Sequence, residues 1–389
     1  MSALSDYVQA KKKKNPSLRI GTIKEVVEIA VQPPTSSGNP VFDYITSIGG
    51  IPRGVVTEIR GNYSSGKTTI AAQVMAQHQK NVREGTAEGG ILYLDSEFAV
   101  DQNYFKALGV DTDDPDFIFY QPETLEDGMN LFLELTKKNL LAYGVLDSVA
   151  SASASAEYEA EIGKMSVGLK ARVLNQSLRM CVGPMRSSGA GLILLNHMQV
   201  GIPTTYMDKV AASRGVQKKV SPGGTGVEFF TSLRIEMGSP SHNKTDAHDT
   251  LTNATTKQTT STDVYVTAFK NKLGTPWRSG KMRVEYGKGF NATYSSFHIL
   301  VDNKLIKKKA GGTYTFPAAL LPTPDTVVPR GEDNILAILE ENPDWAEILN
   351  KAARALVLKF QSEPSESEVV VEDVSDDNID LETGEVLDD

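Results

Sequence analysis

Gly61, Gly66, Lys67 and Thr68 stand in the order G-x-x-x-x-G-K-T within "RGNYSSGKTTIAAQ", a spacing suited to the phosphates of a nucleotide. Two glycines permit a tight loop whose backbone N–H groups turn inward toward phosphate oxygens, with Ser64 and Ser65 inside it and Thr69 just beyond. Lys67 can reach the terminal phosphates, and the Thr68 hydroxyl can meet a magnesium ion. The pattern implies a nucleoside triphosphate with Mg2+ as ligand.

Phosphate chemistry also needs carboxylates. "GVLDS" sets Asp147 at the end of an apolar run, where it is expected to hold the metal through water; a helix cap is its ordinary alternative. "YLDSEF" offers Asp95 and Glu97 to orient an attacking water. Period-two alternation puts both on one side of a strand, so spacing leaves the choice between them open.

Rigid elements must bring these groups together. "VVTEI" reads as a strand feeding the loop, and "TTIAAQVMAQHQK" has helical spacing after it. "GGILYLD", "YGVLDS" and "AGLILLN" are apolar runs. Such runs alternating with helices indicate an α/β fold, a mostly parallel sheet flanked by helices. "SLRIEM", "DVYVTAFKN" and "KMRVEY" lack intervening helices and are expected to be antiparallel additions at one edge. Beyond residue 291 the chain turns short, basic and turn-rich. It then carries two helical patterns, the second opening at Pro343, which suits a helix start. The expected organisation is an N-terminal arm (1–34), a core (35–291), a small α+β C-terminal domain (292–360) and a disordered acidic tail (361–389).

The net charge of −9 hides a division. Residues from Glu363 to Asp389 include 12 Asp/Glu and no Lys or Arg, which leaves the rest of the chain at +3. Such a tail is a solubilising segment or a mobile competitor for a basic surface. No apolar stretch is long enough to span a bilayer, and the first residues lack a signal-peptide core, so a cytoplasmic protein is expected. The single Cys181 has no partner for an internal disulfide and no metal-site spacing around it.

The runs "GGIPRGVVTEIRGNYSSGKTT", "LDSEFAVDQNYFKALGVD", "LDSVASASASAEYEAEIGKMSVGLKARVLNQSLR", "LILLNHM", "FKNKLGTPW" and "NPDWAEILNKAARALVL" closely resemble the RecA family of DNA strand-exchange recombinases, from about Thr35 to Phe360. The run "EAEIGKMSVGLKAR" matches that family's first DNA-binding loop and the helix after it. The resemblance implies a RecA-like ATPase core, ATP and Mg2+ as cofactors, and a helical filament on single-stranded DNA that pairs with homologous duplex. It also implies a polymerisation arm at the N-terminus, together with a single-strand-binding protein and loading mediators as partners. A DNA-coating mediator ATPase that does not exchange strands is the alternative.

Carried over by position, Glu97 matches the water-activating glutamate, Asp147 the magnesium-associated aspartate, and Asp101 and Tyr104 the adenine contacts. Lys270 and Lys272 match lysines that reach a neighbouring protomer's terminal phosphate, and Phe229 an interface phenylalanine. The first DNA loop supplies Val167 and Gly168, and the helix after it Arg172, Asn175 and Arg179. The second loop, from Met198 to Gly224, carries a charge of +3 and includes Gln199, Ile202, Gly223 and Gly224; Ile202 matches a residue that wedges between base triplets. His197 stands where most members have the glutamine that senses the terminal phosphate. Phage recombinases of the UvsX type share this histidine, so a divergent member is expected, of host or phage origin. Glu228 stands where bacterial members usually have lysine, which predicts a different contact between subunits there.

Overall fold

The computed structural model describes residues 2–15, 18, 20–22, 32–158, 168–200, 219–238, 240–248 and 255–362. In the N-terminal arm, helix α1 (Ala3–Lys14) is capped by the Ser2 side chain and buries none of its residues. Helix α2 (Pro40–Ile45) then starts the core, with Asn39 accepting from the Val41 and Phe42 N–H groups.

A β-loop-α unit follows. Strand β1 (Val56–Gly61) runs into the phosphate loop and helix α3 (Lys67–Arg83) leaves it. Next come β2 (Gly90–Asp95), α4 (Gln102–Ala107), β3 (Phe117–Tyr120), α5 (Leu125–Lys137), β4 (Leu141–Asp147), the short α6 (Ser155–Tyr158), α7 (Leu169–Ser188) and β5 (Gly191–His197). All seven residues of β4 and of β5 are buried, as both-face coverage requires. Gly144 in β4 makes that coverage close, because a Cβ there would stand 2.5 Å from the Phe132 ring on α5.

Two short strands, β6 (Gln199–Val200) and β7 (Lys219–Val220), pair antiparallel at the base of the second loop. Helix α8 (Gly224–Phe230) leads into β8 (Thr231–Met237), β9 (Ser241–His248), β10 (Thr255–Asn271), β11 (Arg278–Glu285) and β12 (Gly289–Phe290). Among the described residues the sheet order is β12-β11-β10-β8-β1-β5-β4-β2-β3, with β9 on β10. One expectation is corrected here. "SLRIEM", now β8, pairs parallel with β1, while β10, β11 and β9 add antiparallel. The long connection from β5, ending in α8, supplies the crossover that a parallel neighbour needs.

The C-terminal part contains α9 (Ala292–Asp302), a β13–β14 hairpin (Lys307–Lys309 with Thr313–Thr315), α10 (Glu332–Glu341) and α11 (Pro343–Ser362). Its aromatic residues Phe297, Phe316 and Trp345 join one buried cluster that also holds Val41, Ile59 and Ile70. The Trp345 indole N–H is satisfied by the Leu320 carbonyl at 2.8 Å. The acidic tail expectation lies outside the described residues.

Candidate nucleotide and DNA site

Parallel pairing brings four strand ends to one edge of the sheet. Gly61 is in register with His197, Asp147 with Leu195, and Asp95 with Asp147. In open α/β sheets the crevice beyond these carboxyl ends is where ligands bind.

The loop between β1 and α3 is built for close backbone approach. Gly66 has φ +88°, and a Cβ there would stand 2.6 Å from the Phe290 ring; at Gly61 it would stand 2.6 Å from the Met237 carbonyl oxygen. Ser64 also takes positive φ, at 59°. No side chain caps α3, so its first-turn N–H groups and positive dipole end face the loop. Ser65 is buried and its hydroxyl donates to the Asn62 carbonyl at 2.9 Å.

Lys67 is buried. Its ammonium donates to the Asn62 carbonyl at 2.9 Å and the Gly61 carbonyl at 3.3 Å. Burial lowers its pKa to about 8 against the pull of Asp147 and Glu97. The Thr68 hydroxyl donates to Asp147 at 2.7 Å, and the Tyr93 hydroxyl donates to the same carboxylate oxygen at 2.6 Å. Burial raises the Asp147 carboxyl, and these two donors hold it down in part. A hydroxyl and one carboxylate, with no cluster of three His, Cys, Asp or Glu among the described residues, form a donor set that suits Mg2+ shared with phosphates.

Glu97 and Asp95, which spacing could not separate, take different roles. Strand β2 ends at Asp95, whose carboxylate accepts from the Glu97 N–H and from Gln121. Glu97 lies past the strand and accepts from the Ser148 hydroxyl at 2.6 Å and from His197 Nε2 at 2.8 Å. Burial would raise the Glu97 carboxyl, but the bonds from Ser148 and His197 outweigh it and keep the pKa low. His197 Nδ1 lies 3.3 Å from the Lys67 ammonium. An ammonium only donates, so Nδ1 is the acceptor, and Nε2 carries the proton that goes to Glu97. On the far side of the loop, Tyr104 and Thr69 share a hydroxyl hydrogen bond of 2.7 Å. Asp101 caps α4, accepting from the Asn103 and Tyr104 N–H groups.

The described residues among those expected to meet DNA lie on α7, at the start of α8 and just after β5. Gly168 opens α7 with φ +79°, and Arg172 and Arg179 are exposed along that helix. Asn175 packs under α8, where a Cβ on Gly226 would meet its side chain at 2.7 Å. Gly223 and Gly224 have φ +101° and +70° and start α8. Met198 follows β5, its N–H bonded to the Gly61 carbonyl at 3.2 Å, and Gln199 is exposed. Val167 and Ile202 lie outside the described residues.

Phe229 is exposed at the end of α8. Lys270 and Lys272 donate to the carbonyls of Glu228 and Phe229, and Glu228 pairs with Arg234 at 3.2 Å. They line a groove with Arg179 and Phe229, separate from the groove lined by Thr68, Glu97, Tyr104 and Asp147.

Sequence reasoning missed Tyr93, Tyr63 and the buried pair Glu58–Arg234. Tyr93 was within reach, since it stands two residues before Asp95 and so on the same strand face. Tyr63 stacks on His197, and no sequence spacing links a loop residue to a strand end 134 residues later.

A mostly parallel sheet with a phosphate loop after β1 and carboxylates ending β4 and β2 defines a nucleoside-triphosphate-binding α/β protein. Residues 4–291 match the family model described as the RecA N-terminal domain, a match that begins within the arm preceding Thr35. Protein RecA of Corynebacterium diphtheriae is 33% identical over 322 residues, 82% of this chain and 77% of its own length. Protein RecA of Corynebacterium efficiens is 32% identical over 348 residues, 89% of this chain and 79% of its own. A solved RadB recombinase chain aligns with a TM-score of 0.45 and 18% identity, over 66% of this chain and 98% of that one. The chain belongs to the RecA family, as a divergent recombination ATPase. No helix among the described residues is long and apolar enough to cross a membrane.

Proposed function

We propose that this chain is an ATP-dependent homologous recombinase that polymerises on single-stranded DNA, tests duplex DNA for homology and exchanges strands. One observation carries the reading. Glu97, Lys67 and the Thr68–Asp147 pair meet at the sheet edge beside His197, and the second loop leaves the sheet directly after that residue. A phosphate sensor at the root of a cationic loop is the arrangement by which nucleotide state can govern DNA contact.

When bound, ATP supplies the phosphoryl group and Mg2+ neutralises its developing charge. Lys67 would turn from the Gly61 and Asn62 carbonyls to phosphate oxygens, and Thr68, with Asp147 through water, would hold the metal. Glu97, kept ionised by its donors, takes the proton of the attacking water. Lys270 and Lys272 would exchange the Glu228 and Phe229 carbonyls for a neighbouring protomer's nucleotide. Phe229, exposed beside them, packs into that neighbour. Arg172 and Arg179 lie along the DNA backbone, and binding draws on phosphate contacts rather than base sequence.

The direct test is ATP hydrolysis with and without single-stranded DNA, alongside joint-molecule formation with homologous duplex. Stimulated hydrolysis with joint molecules supports the recombinase. Stimulated hydrolysis without them, across cofactor and tail variants, leaves a DNA-coating or mediator ATPase.

A further inference from the structure

Tyr63 lies inside the phosphate loop, between Gly61 and Gly66, and its side chain reaches the end of β5. Its ring stacks on the His197 imidazole, with centroids 4.4 Å apart and planes 27° from parallel. It does so while 75% exposed, so burial of apolar surface does not explain its place. The imidazole edge is used at both nitrogens, Nδ1 toward Lys67 and Nε2 toward Glu97. Those two bonds fix points in the ring plane and engage neither face, and Tyr63 covers one face.

We propose that Tyr63 is a positioning residue for His197. It holds the imidazole plane between Lys67 and Glu97 and carries movement of the phosphate loop to the end of β5, where the second loop begins. The proposal deepens the reading above and rests on it, since it concerns how nucleotide binding at this site regulates DNA contact. Three contacts join the loop to the strand end: the Lys67–His197 bond, the Tyr63–His197 stack and the Met198 N–H on the Gly61 carbonyl at 3.2 Å. Of these, only the stack can be removed without touching the phosphate-binding groups or the backbone. The hydroxyl of Tyr63 has no hydrogen bond among the described residues, so the ring is the working part.

The test measures the affinity of the full chain for single-stranded oligonucleotide with and without a non-hydrolysable ATP analogue, and takes the ratio as the coupling. An aromatic stack of this kind corresponds to a factor of about three to ten. Tyr63→Ser is expected to reduce the coupling ratio by about that factor, with affinity in the absence of nucleotide and melting temperature unchanged. Tyr63→Phe is expected to retain the wild-type ratio. In steady-state hydrolysis the Ser variant should lose DNA stimulation through kcat, with KM for ATP moving less. Wild-type coupling in Tyr63→Ser, or a loss in Tyr63→Phe equal to that in Ser, overturns the proposal and leaves the recombinase reading standing. A wild-type chain that shows no coupling at all overturns both. Joint-molecule assays read the recombinase separately.

Discussion

At the scale of single residues, the site works by keeping groups in defined protonation and hydrogen-bonding states. Glu97 is held ionised by Ser148 and His197, which suits a base that must accept a proton. Glu97→Gln keeps the shape and an oxygen that can accept from His197 while removing the basic lone pair. Hydrolysis should fall by about a hundredfold or more, with ATP-dependent DNA binding retained. Steady-state phosphate release and oligonucleotide anisotropy together check this, and a variant that loses both would make Glu97 a folding residue instead. Buried Glu58 adds a contrasting case at this scale. It accepts from Arg234 at 2.6 Å and Asn196 at 2.9 Å, and Asn196 also holds the Pro222 carbonyl at the return of the second loop. A carboxylate with no exposure is tolerable only because it is fully paired.

Among elements, α7 and the β10–β11 pair lend themselves to measurement. Arg172 and Arg179 stand seven residues apart on α7, hence on one face, and both are exposed. If each meets one phosphate, replacing both with Ala reduces the salt slope of single-strand binding by about 1.4, at about 0.7 per contact. Titrations across a salt series read that slope, and an unchanged slope places the helix off the DNA. On β10, burial would raise Asp263, but hydrogen bonds from Arg283 and Lys281 bring its pKa down to about 2. An unfolded carboxyl titrates near pH ~3.9, so these two contacts stabilise the fold above that pH, by about 1 kcal/mol after solvent screening, and lose it as pH falls toward about 2. Asp263→Asn should therefore lower the urea midpoint at neutral pH. The gap from wild type should close in acid.

On the scale of the whole molecule, the grooves of Glu97 and of Lys270 and Lys272 are separate, and the proposed reading sets the lysines of one protomer against the nucleotide of the next. Complementation follows from that. Mixing Glu97→Gln with the double variant Lys270→Ala, Lys272→Ala should restore hydrolysis that neither shows alone, because about a quarter of randomly mixed interfaces join intact Glu97 to intact lysines. Hydrolysis in an equimolar mixture at saturating DNA measures it. No gain over the separate variants would put the lysines in service of their own protomer.

The local chemistry was legible in the residue order. The phosphate loop, the carboxylate-ended apolar strands and the helix starting at Pro343 depend on short-range spacing, which a linear chain carries in full. Tertiary structure decided three things. It set Asp95 in β2 and Glu97 beyond its end, a division that spacing left open and that the resemblance alone had assigned. It turned "SLRIEM" parallel by placing β8 beside β1 after a long crossover, and it set Tyr63 on His197 and Arg234 on Glu58. Each of these depends on which distant strands become neighbours and in what register. Periodicity along one segment does not encode that, because the partner's position enters only when the sheet closes.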